Sequence, residues 1–482
     1  MSFSGPIFRF LPLEDKYMRT YRMLTIAFGA VLSLSAQPDF TPPTPLFAAV
    51  LSNNTPELKK LLAEGANPNE KLFLGFAPVF FPIIYQNVDA LRAMVEKGAD
   101  IHAKDSMGST TLMWAAFNDT GNTELVEELL KLGIDPNAKN KNGETALTWA
   151  IRRGYTPVII TLRKAGASDA PMIKESVEKA VALLQKSGPQ FVKVSGCTSC
   201  HHQSLPQMTV GMARARGFSV DEQISQQQVR AVIGMFRPMR ESLLAGSNKF
   251  PNPPISMSYA LLGLAAEGYA TDETTEAMAH MISTRQLPDG SFRILGARPP
   301  LESSDVTATA LSLRAIQLYG KQPAEKVAAA RNWLETVKPQ SNEDRAMQLL
   351  GFTWAKADSA QLAKAARALL SEQRPDGGWA QLPTLETDAY ATGQALVALN
   401  LSKQLAVSDP AYQRGVAYLL RTQLADGSWL VRTRAFPFQP YKESGFPHGK
   451  DQWISTSGSS WAAMALSLTA PTTLPELSRV LR

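Results

Sequence analysis

The sequence is poor in the residues that build most metal and redox sites. It has 482 residues but only two cysteines and five histidines. Two cysteines three positions apart exclude the framework of several disulfides on which small secreted domains depend. With 44% hydrophobic residues, a chain of this length has enough apolar material for two or three ordinary domains. We therefore expect a globular protein of more than one domain.

Hydrophobic runs long enough to cross a membrane are also missing. The run over 23–34 has about a dozen residues, against the roughly 20 that a spanning helix needs. Arg19 and Arg22 precede this run and small residues follow it, which is typical of an export signal. We predict a leader over residues 1–37, and a mature protein without a transmembrane span in the periplasm or another extracytoplasmic compartment. The alternative is a buried N-terminal helix.

Concentrated positive charge is absent as well. The formal net charge is +6, and lysine and arginine are spread along the chain instead of forming one run. Binding to nucleic acid usually needs a basic patch or stripe. We therefore expect no nucleic-acid partner.

The sequence does contain two families of repeats, and the first lies near the N-terminus. The segments "AEGANPNEK", "EKGADIHAK" and "KLGIDPNAK" share one pattern, and "RKAGASDA" is a shorter copy. Their glycines, Gly65, Gly98, Gly133 and Gly166, are 33, 35 and 33 residues apart, and amphipathic stretches precede them, as expected for glycines that end helices. Over 44–170 this pattern resembles the ankyrin repeat, which implies a solenoid that binds a protein partner. A spacer or folding cap is the alternative.

The second family of repeats fills the C-terminal half. The segments 275–292, 364–379 and 414–429 each contain a helical pattern, then Gln, three residues, Gly, one residue and an aromatic. We expect the glycine to make a tight turn and the aromatic side chain to fold back onto the helices. The glutamines are predicted to hydrogen-bond open backbone groups at the helix ends. They are Gln286, Gln373 and Gln423.

Helical stretches rich in small residues alternate with these motifs: "SSDVTATALSL", "ETDAYATGQALVAL" and "SGSSWAAMALSL". Over about residues 172–470 the combination is similar to the α/α toroid of the squalene and hopene cyclases and the protein prenyltransferase β subunits. The resemblance implies an all-α protein in which an ankyrin repeat solenoid is followed by an α/α toroid. It also implies a toroid cavity as a candidate site for an apolar small molecule.

The acids that such cyclases use are mostly absent. Cyclases of this family that protonate an alkene carry a DxDD motif, and the matching stretch 303–308 retains only Asp305. Asp388 has the same register 83 residues later, so capping of a helix N-terminus also explains both residues. No magnesium-binding DDxxD cluster is present, and the small-residue helices have no cysteine for a prenyltransferase zinc. Asp305 remains as the catalytic candidate, and whether the toroid is an enzyme stays open.

The strongest chemical signal is "SGCTSCHHQ", which holds both cysteines and two histidines. Cys197, Cys200 and His201 form C-x-x-C-H, the attachment signature of c-type haem. Thiols three residues apart on a helical turn can both add to the vinyl groups of one porphyrin, and His201 then lies under the same ring and can bind iron. We therefore predict haem c held by Cys197 and Cys200, with His201 as axial ligand.

The sixth iron ligand has two candidates, His448 and Met208. A closed toroid brings its last repeat, which holds His448, beside the first. An exposed loop histidine and an ordinary core methionine are the alternatives for these two residues. His202 is expected at the surface or beside a metal ligand without binding the metal itself.

Two other sites fit the C-x-x-C turn. Zinc would use Cys197, Cys200 and a histidine together with a more distant ligand. A thiol–disulfide exchange site would need a lowered thiol pKa. Both remain alternatives to haem.

These features together predict an exported haem c protein with an ankyrin interaction module and a cyclase-like toroid. Its function would be electron transfer or redox sensing with a bound partner. An enzyme is one alternative, either similar to a terpenoid cyclase or prenyltransferase or oxidising an apolar substrate with haem. A non-catalytic scaffold, with zinc or a disulfide at the C-x-x-C turn, is the other.

Overall fold

The computed structural model describes residues 44–70, 77–154, 156–247, 250–321, 323–436 and 441–473. Contacts within the chain divide it into two compact units. The first consists mainly of the described residues as far as Ala150 together with Thr156–Ala167, and the second of the described residues from Ser168 onward. The leader predicted over 1–37 lies outside the described residues.

The first unit is a stack of short helices. They are α1 (Pro45–Leu51), α2 (Thr55–Ala63), α3 (Phe80–Ile84), α4 (Val88–Glu96), α5 (Thr111–Phe117), α6 (Glu124–Lys131), α7 (Ala146–Arg153) and α8 (Pro157–Lys164). Helices α1 and α2, α3 and α4, and α5 and α6 pack as pairs, while α2, α4, α6 and α8 stack in series. Stacking buries apolar faces that one helix pair cannot cover alone.

The glycines of the first repeat family adopt the left-handed conformation that their pattern predicts. Their φ angles lie between 82° and 94°: Gly65, Gly98, Gly133 and Gly166. The side chains of Asn69 and Asn137 each donate a hydrogen bond to the carbonyl of the next repeat's glycine, over 2.8 and 2.9 Å. The first repeat is therefore joined to the second, and the third to the fourth, through their turns.

The second unit is also helical. Its helices are α9 (Ala170–Ser195), α10 (Leu205–Arg214), α11 (Glu222–Phe236), α12 (Arg240–Leu244), α13 (Pro253–Ala266), α14 (Glu273–Ser283), α15 (Asp305–Tyr319), α16 (Ala324–Thr336), α17 (Asn342–Trp354), α18 (Ser359–Leu370), α19 (Ala389–Leu401), α20 (Pro410–Thr422) and α21 (Gln452–Ser467). A π-helical turn, Cys200–Ser204, precedes α10, and 3₁₀ turns lie at Arg237–Met239 and Gly449–Asp451. Two short strands, β1 (Trp379–Ala380) and β2 (Thr387–Asp388), pair antiparallel.

Helices of the second unit form a closed ring. Helices α10, α13, α15, α17, α19 and α21 each pack on the next in this order, and α21 packs on α10. The hydroxyl of Thr209 on α10 donates to the carbonyl of Ser460 on α21 across this closure, over 3.2 Å. Helices α14, α16, α18 and α20 lie outside the ring against α13, α15, α17 and α19, while α9 contacts both α10 and α21. The prediction of an all-α fold is confirmed.

The Gln-to-aromatic motifs join neighbouring outer helices. The side-chain amide of each glutamine donates to the carbonyl of its own motif glycine and to a carbonyl near the start of another outer helix, at 2.8–3.0 Å. The second acceptors of Gln286, Gln373 and Gln423 are Lys326, Ala411 and Ser176. The Gln423–Ser176 bond closes the outer layer between α20 and α9.

The aromatic residues of these motifs are buried as predicted. Phe292, Trp379 and Trp429 are at most 1% exposed. The indole N–H groups of both tryptophans donate to carbonyls of the preceding helix, each over 2.9 Å. A hydroxyl on the following inner helix accepts from each aromatic residue's backbone N–H over 2.9–3.0 Å. These hydroxyls belong to Thr309, Thr392 and Ser459.

Among the described residues, none of the helices combines the length and apolar character that a bilayer crossing requires.

Candidate functional site

The C-x-x-C-H sequence lies between α9 and α10, at the first inner helix of the ring. Gly196, with φ of 71°, ends α9 in the left-handed conformation, and Cys200–Ser204 form one π-helical turn. The hydroxyl of Ser199 caps this turn by accepting from the backbone N–H of His202 over 3.1 Å. Gln203 ties the turn to α9 by donating to the carbonyl of Gly188 over 2.9 Å. π-Helical turns are rare and occur frequently at functional sites.

The two cysteines have different environments, and neither forms a disulfide. Cys197 is exposed and Cys200 is buried. Burial, with a smaller effect from the charge of Glu302, raises the pKa of the Cys200 thiol to about 12. A thiol with a raised pKa is a poor nucleophile at neutral pH, because the thiolate is the reactive form. Cys200 is therefore poorly suited to be the attacking thiol of an exchange site, and that alternative would depend on the exposed Cys197.

His201 is buried and neutral. Its ring contacts those of Phe191 and Trp453 edge to face, with centroids 5.2 and 5.9 Å away. Burial lowers the pKa of His201 well below its usual value, and the charges of His202 and Arg298 lower it further. A neutral imidazole is the form that binds a metal.

His202 is buried inside the ring next to His201, which contradicts a surface position but agrees with the other expected placement, beside the predicted metal ligand. It is 1% exposed and stacks on Phe191, with ring centroids 4.5 Å apart and planes 8° from parallel. Its Nδ1 lies 2.5 Å from Nδ1 of His201, and its Nε2 lies 2.7 Å from the hydroxyl of Ser444 and 3.4 Å from that of Thr456. Burial lowers the pKa of His202 to about 3.

Ring closure brings the last repeat to the C-x-x-C-H turn. Ser444, Trp453 and Thr456 follow the last aromatic motif, and they contact His201 or His202 across about 240–255 residues of sequence. His448 belongs to the same segment but has φ of 84°, and its Nε2 lies 2.8 Å from the hydroxyl of Ser428. Its role as an iron ligand stays a prediction.

Met208 lies on α10 and is 2% exposed within the core of the second unit. Its neighbours in that core are the apolar side chains of the inner helices. This position is typical of an ordinary core methionine, which was the alternative to iron ligation for Met208. Iron ligation by Met208 likewise stays a prediction.

Helix capping explains Asp388 but not Asp305. The carboxylate of Asp388 caps α19 by accepting from the backbone N–H of Ala391 over 2.9 Å. When Asp305 is aligned with Asp388, helix α15 begins one residue earlier than α19 does. Ser304 is therefore the cap of α15, and Asp305 is its first residue. The Asp305 carboxylate instead accepts from the backbone N–H of Ile294 over 3.0 Å. The capping prediction is therefore wrong for Asp305, whose catalytic role stays untested.

The structure also contains a buried polar cluster that sequence reasoning missed. We call Tyr259, Thr307, Glu343, Tyr390, Gln394 and Trp461 the central polar cluster. They come from the five inner helices α13, α15, α17, α19 and α21, and each is at most 2% exposed. The Tyr259 and Tyr390 hydroxyls, the Gln394 amide and the Trp461 indole N–H lie close to one another or to Glu343, but none of them makes a hydrogen bond of good geometry with a described residue. Unsatisfied buried polar groups are rare and call for an explanation.

Glu343 is the acid of the central polar cluster. One of its carboxyl oxygens accepts from the hydroxyl of Thr307 over 3.3 Å. Burial raises the pKa of Glu343 to about 8, against a smaller lowering by the side chains of Gln394 and Tyr390. Burial also raises the pKa of Tyr259 well above its usual value, and Glu343 and Cys200 are close enough to raise it further. The cluster and the C-x-x-C-H turn therefore share the ring interior.

The sequence carries one faint signal for this cluster. The stretch "SNEDRAMQLL" begins an inner helix with two acids, and "DAYATGQAL" places Tyr390 and Gln394 four residues apart on one helix face. Each pattern alone is typical of a capped or amphipathic helix. Only the packing of α17 against α19 joins them into one site.

Comparison with known proteins identifies the later part of the first unit. A family model described as "Ankyrin repeats (3 copies)" matches residues 86–170. These residues form ankyrin repeats. They include three of the four glycine-ended copies in the sequence, and they indicate a module for protein–protein interaction. No curated protein matches the chain.

The ankyrin repeats have an aromatic core and a charged surface. Trp114 packs against Phe80 and Trp149, with ring centroids 6.4 and 5.9 Å away, and its indole N–H donates to buried Asp105 over 2.9 Å. On the outside, Arg92 on α4 pairs with Glu128 on α6 at 3.0 Å. The repeats thus have an aromatic interior and paired charges on the outside.

The donor set of the C-x-x-C-H turn fits c-type haem in its chemistry. Two thiols free of a disulfide precede a neutral histidine, and the described hydrogen-bond contacts of the His201 ring use Nδ1. Iron-binding histidines are commonly held this way, with one ring nitrogen hydrogen-bonded and the other at the metal. Within the described ranges, no group of three or more His, Cys, Asp and Glu side chains is arranged to hold a metal ion by itself. The zinc alternative would therefore need a rearrangement or a ligand from elsewhere.

Proposed function

We propose that the protein carries a covalent c-type haem at Cys197 and Cys200, with His201 as axial ligand, and binds a protein partner through its ankyrin repeats. Electron transfer or redox sensing in an extracytoplasmic compartment is the function that this combination supports best. Haem attachment takes place outside the cytoplasm, which agrees with an export leader over 1–37. The closed ring supports the resemblance to the toroid of cyclases and prenyltransferase β subunits.

The observation that carries the proposal is the environment of His201. Its imidazole is buried and neutral, and Nδ1 is hydrogen-bonded within the protein. Phe191 and Trp453 restrict rotation of the ring. A bound haem would supply a one-electron redox couple, whose potential depends on the axial ligands and on burial. The chain's own contribution is to orient His201 and to limit its contact with water.

The test is a visible absorption spectrum of protein exported from a host with haem-attachment machinery. We expect the wild-type reduced pyridine adduct to show a thioether-linked haem, and the Cys197→Ala/Cys200→Ala double variant to lack it. A six-coordinate, low-spin iron that changes in His448→Ala or Met208→Leu would identify the sixth ligand. A colourless wild-type protein would contradict the proposal, and zinc analysis with a thiol count would then test the scaffold alternative.

The central polar cluster supports a second candidate function, binding of a small polar molecule. The groups without well-formed hydrogen bonds include donors and acceptors, next to aromatic rings and a carboxyl that is largely protonated near neutral pH. A neutral molecule with several hydroxyl groups, such as a sugar or polyol, matches these features. This ligand class differs from the apolar one that the cyclase resemblance implies.

Calorimetric titration can separate the two ligand classes. We expect heat of binding with members of a panel of neutral sugars and polyols, and its loss in Gln394→Leu, while Glu325→Gln on the outer helix α16 leaves it unchanged. Binding of farnesol alone would instead favour the cyclase-like enzyme. Absence of binding to either class would contradict the second candidate.

A further inference from the structure

We infer that His202, Ser444 and Gln452 form a directed hydrogen-bond relay that holds His201 as the Nδ1–H tautomer and leaves the lone pair of its Nε2 available. His202 is thereby a positioning residue for His201. The inference deepens the proposed function, on which its relevance to iron rests, but the relay itself is a property of the described residues and is testable without haem.

The direction of the relay is set at Gln452. Its Oε1 accepts from the backbone N–H of Ser444 over 3.1 Å, and its Nε2 donates to the carbonyl of Lys442 over 2.5 Å. These two bonds define which end of the amide is oxygen. The Ser444 hydroxyl, 2.6 Å from this oxygen, must therefore donate to it.

The protonation of His202 at Nε2 follows from the two hydroxyls that face it. The proton of Ser444 is committed to Gln452, and the hydroxyl of Thr456 donates to the carbonyl of Gln452 over 2.7 Å. At Nε2 of His202, both oxygens can therefore only accept, at 2.7 and 3.4 Å. Nε2 of His202 must carry a hydrogen.

His202 carries only this one hydrogen. The ring is buried against Phe191 and two hydroxyls, and no carboxylate is hydrogen-bonded to it in the described part of the chain. A buried imidazolium without an anionic partner is costly. The Nδ1 of His202 is then an acceptor, and the short contact with His201 requires the hydrogen to be on Nδ1 of His201. Neutral His201 consequently has no hydrogen on Nε2, the atom that would face a metal.

Nitrogen-15 NMR of the haem-free, full-length chain labelled at histidine tests this inference. The chain has five histidines, so single substitutions at the others suffice to assign their ring signals. At neutral pH we expect the signals of Nδ1–H for His201 and of Nε2–H for His202. If His201 is mainly the Nε2–H tautomer in the wild-type protein, this result by itself would overturn the relay, and no variant would be needed.

Ser444→Ala tests whether the relay acts through Ser444. Loss of this acceptor should reduce the preference of His202 for Nε2–H, and with it that of His201 for Nδ1–H, by about fivefold. Ser428→Ala is the matched control, because Ser428 makes a similar contact of 2.8 Å with His448. Unchanged tautomers in Ser444→Ala, or an equal change in Ser428→Ala, would overturn the positioning role.

The outcome is separable from that of the haem proposal. In haem-loaded protein, Ser444→Ala should shift the electron paramagnetic resonance g-values while the thioether-linked haem remains attached. A colourless protein with the expected tautomers would contradict haem attachment but leave the relay standing. Haem with unaltered g-values in Ser444→Ala would contradict the relay but leave haem attachment standing.

Discussion

At the scale of single residues, burial decides the chemistry of this protein more than residue type does. His202 was expected either at the surface or beside the predicted metal ligand His201, and the rings of both histidines are buried. Glu343 resembles an acid at the start of a helix in the sequence, but it lies at the centre of a ring of helices. For both, removal of water favours the neutral form.

Glu343 should make the stability of the protein depend on pH. Its pKa of about 8 in the folded state lies above the usual 4.5, so the folded protein keeps a proton that the unfolded chain releases. The stabilisation is complete below pH 4.5 and is lost as the pH rises to about 8, with a slope of at most about 1.4 kcal/mol per pH unit. Denaturant unfolding of wild type and Glu343→Gln at several pH values measures this effect.

We expect Glu343→Gln to flatten the curve, while the exposed control Glu325→Gln retains the wild-type slope. Asp388, with its pKa raised from 3.8 to about 6, adds a smaller effect of the same sign at lower pH. The charge of Asp344 also raises the pKa of Glu343. The charge of Glu343 in turn raises the pKa of Arg434, against the larger lowering by burial. Equal slopes in wild type and Glu343→Gln would contradict the prediction.

The motif glycine Gly377 should be far more sensitive to substitution than a glycine that only needs its backbone conformation. Gly377 has φ of 94°, and an added Cβ would lie 2.5 Å from the carbonyl oxygen of Arg414. Gly246 has φ of 65° and no atom within 4 Å of such a Cβ. We expect Gly246→Ala to cost about 1 kcal/mol of unfolding free energy and Gly377→Ala about 3 kcal/mol. Similar costs in denaturant unfolding would show that the contact with Arg414 is unimportant.

At the scale of elements, one device is used three times to attach an outer helix to its neighbour. A glutamine amide donates to its own turn and to the next helix, a glycine permits the close approach, and an aromatic ring fills the space beneath. The glutamine, the glycine and the aromatic residue lie close together in the sequence, which is why the motif was recognisable there. The carbonyl on the next helix that accepts the second hydrogen bond of the glutamine is not part of the motif, so only the structure identifies it.

Gln423→Ala should destabilise the second unit by about 1–3 kcal/mol, because it leaves the carbonyls of Gly427 and Ser176 without this donor. Gln223, which is exposed on α11, is the control, and its alanine variant should lie within about 0.5 kcal/mol of wild type. Urea unfolding followed by tryptophan fluorescence gives both values. A cost for Gln423→Ala no larger than that of the control would contradict the role of this glutamine in joining the helices.

At the scale of the whole molecule, the chain combines ankyrin repeats with a ring whose first and last helices meet. Repeats interact mainly with their sequence neighbours, whereas the ring requires contacts such as Gln423–Ser176 across 247 residues. Closing so long a loop costs conformational entropy before any contact compensates for it. The C-x-x-C-H turn and the central polar cluster both depend on this closure.

Ring closure should be a late event in folding. Gln423 bridges 247 residues, while Gln286 makes the same two kinds of bond across at most 40. We expect Gln423→Ala to act almost entirely by speeding unfolding, and Gln286→Ala to divide its effect between slower folding and faster unfolding. Stopped-flow chevron plots of the two variants provide the comparison. If Gln423→Ala slowed folding more than Gln286→Ala does, ring closure would already be formed in the transition state, and the prediction of late closure would be wrong.

The sequence alone was sufficient for features that depend on neighbours along the chain. Helical periodicity, helix-ending glycines such as Gly98 and Gly133, and the spacing of the Gln-to-aromatic motifs predicted the repeats and the all-α class. Short-range sterics and hydrogen bonds determine these features, so a local pattern contains the information. The start of helix α15 shows the limit of such local patterns. Ser304 and Asp305 are both good capping residues, and Ser304 is the cap because the Asp305 carboxylate accepts from the backbone N–H of Ile294 instead.

Tertiary structure decided which distant residues share a site. Ser444 meets His202, and Tyr259, Glu343 and Trp461 meet near the ring centre, only because α21 packs on α10. The environment of each group follows from that packing: a histidine, a glutamate or a tyrosine changes its proton affinity when several helices together exclude water from it. Local sequence patterns therefore account for the helices, the repeats and the C-x-x-C-H turn, whereas ring closure accounts for the burial, protonation and partners of the residues around that turn.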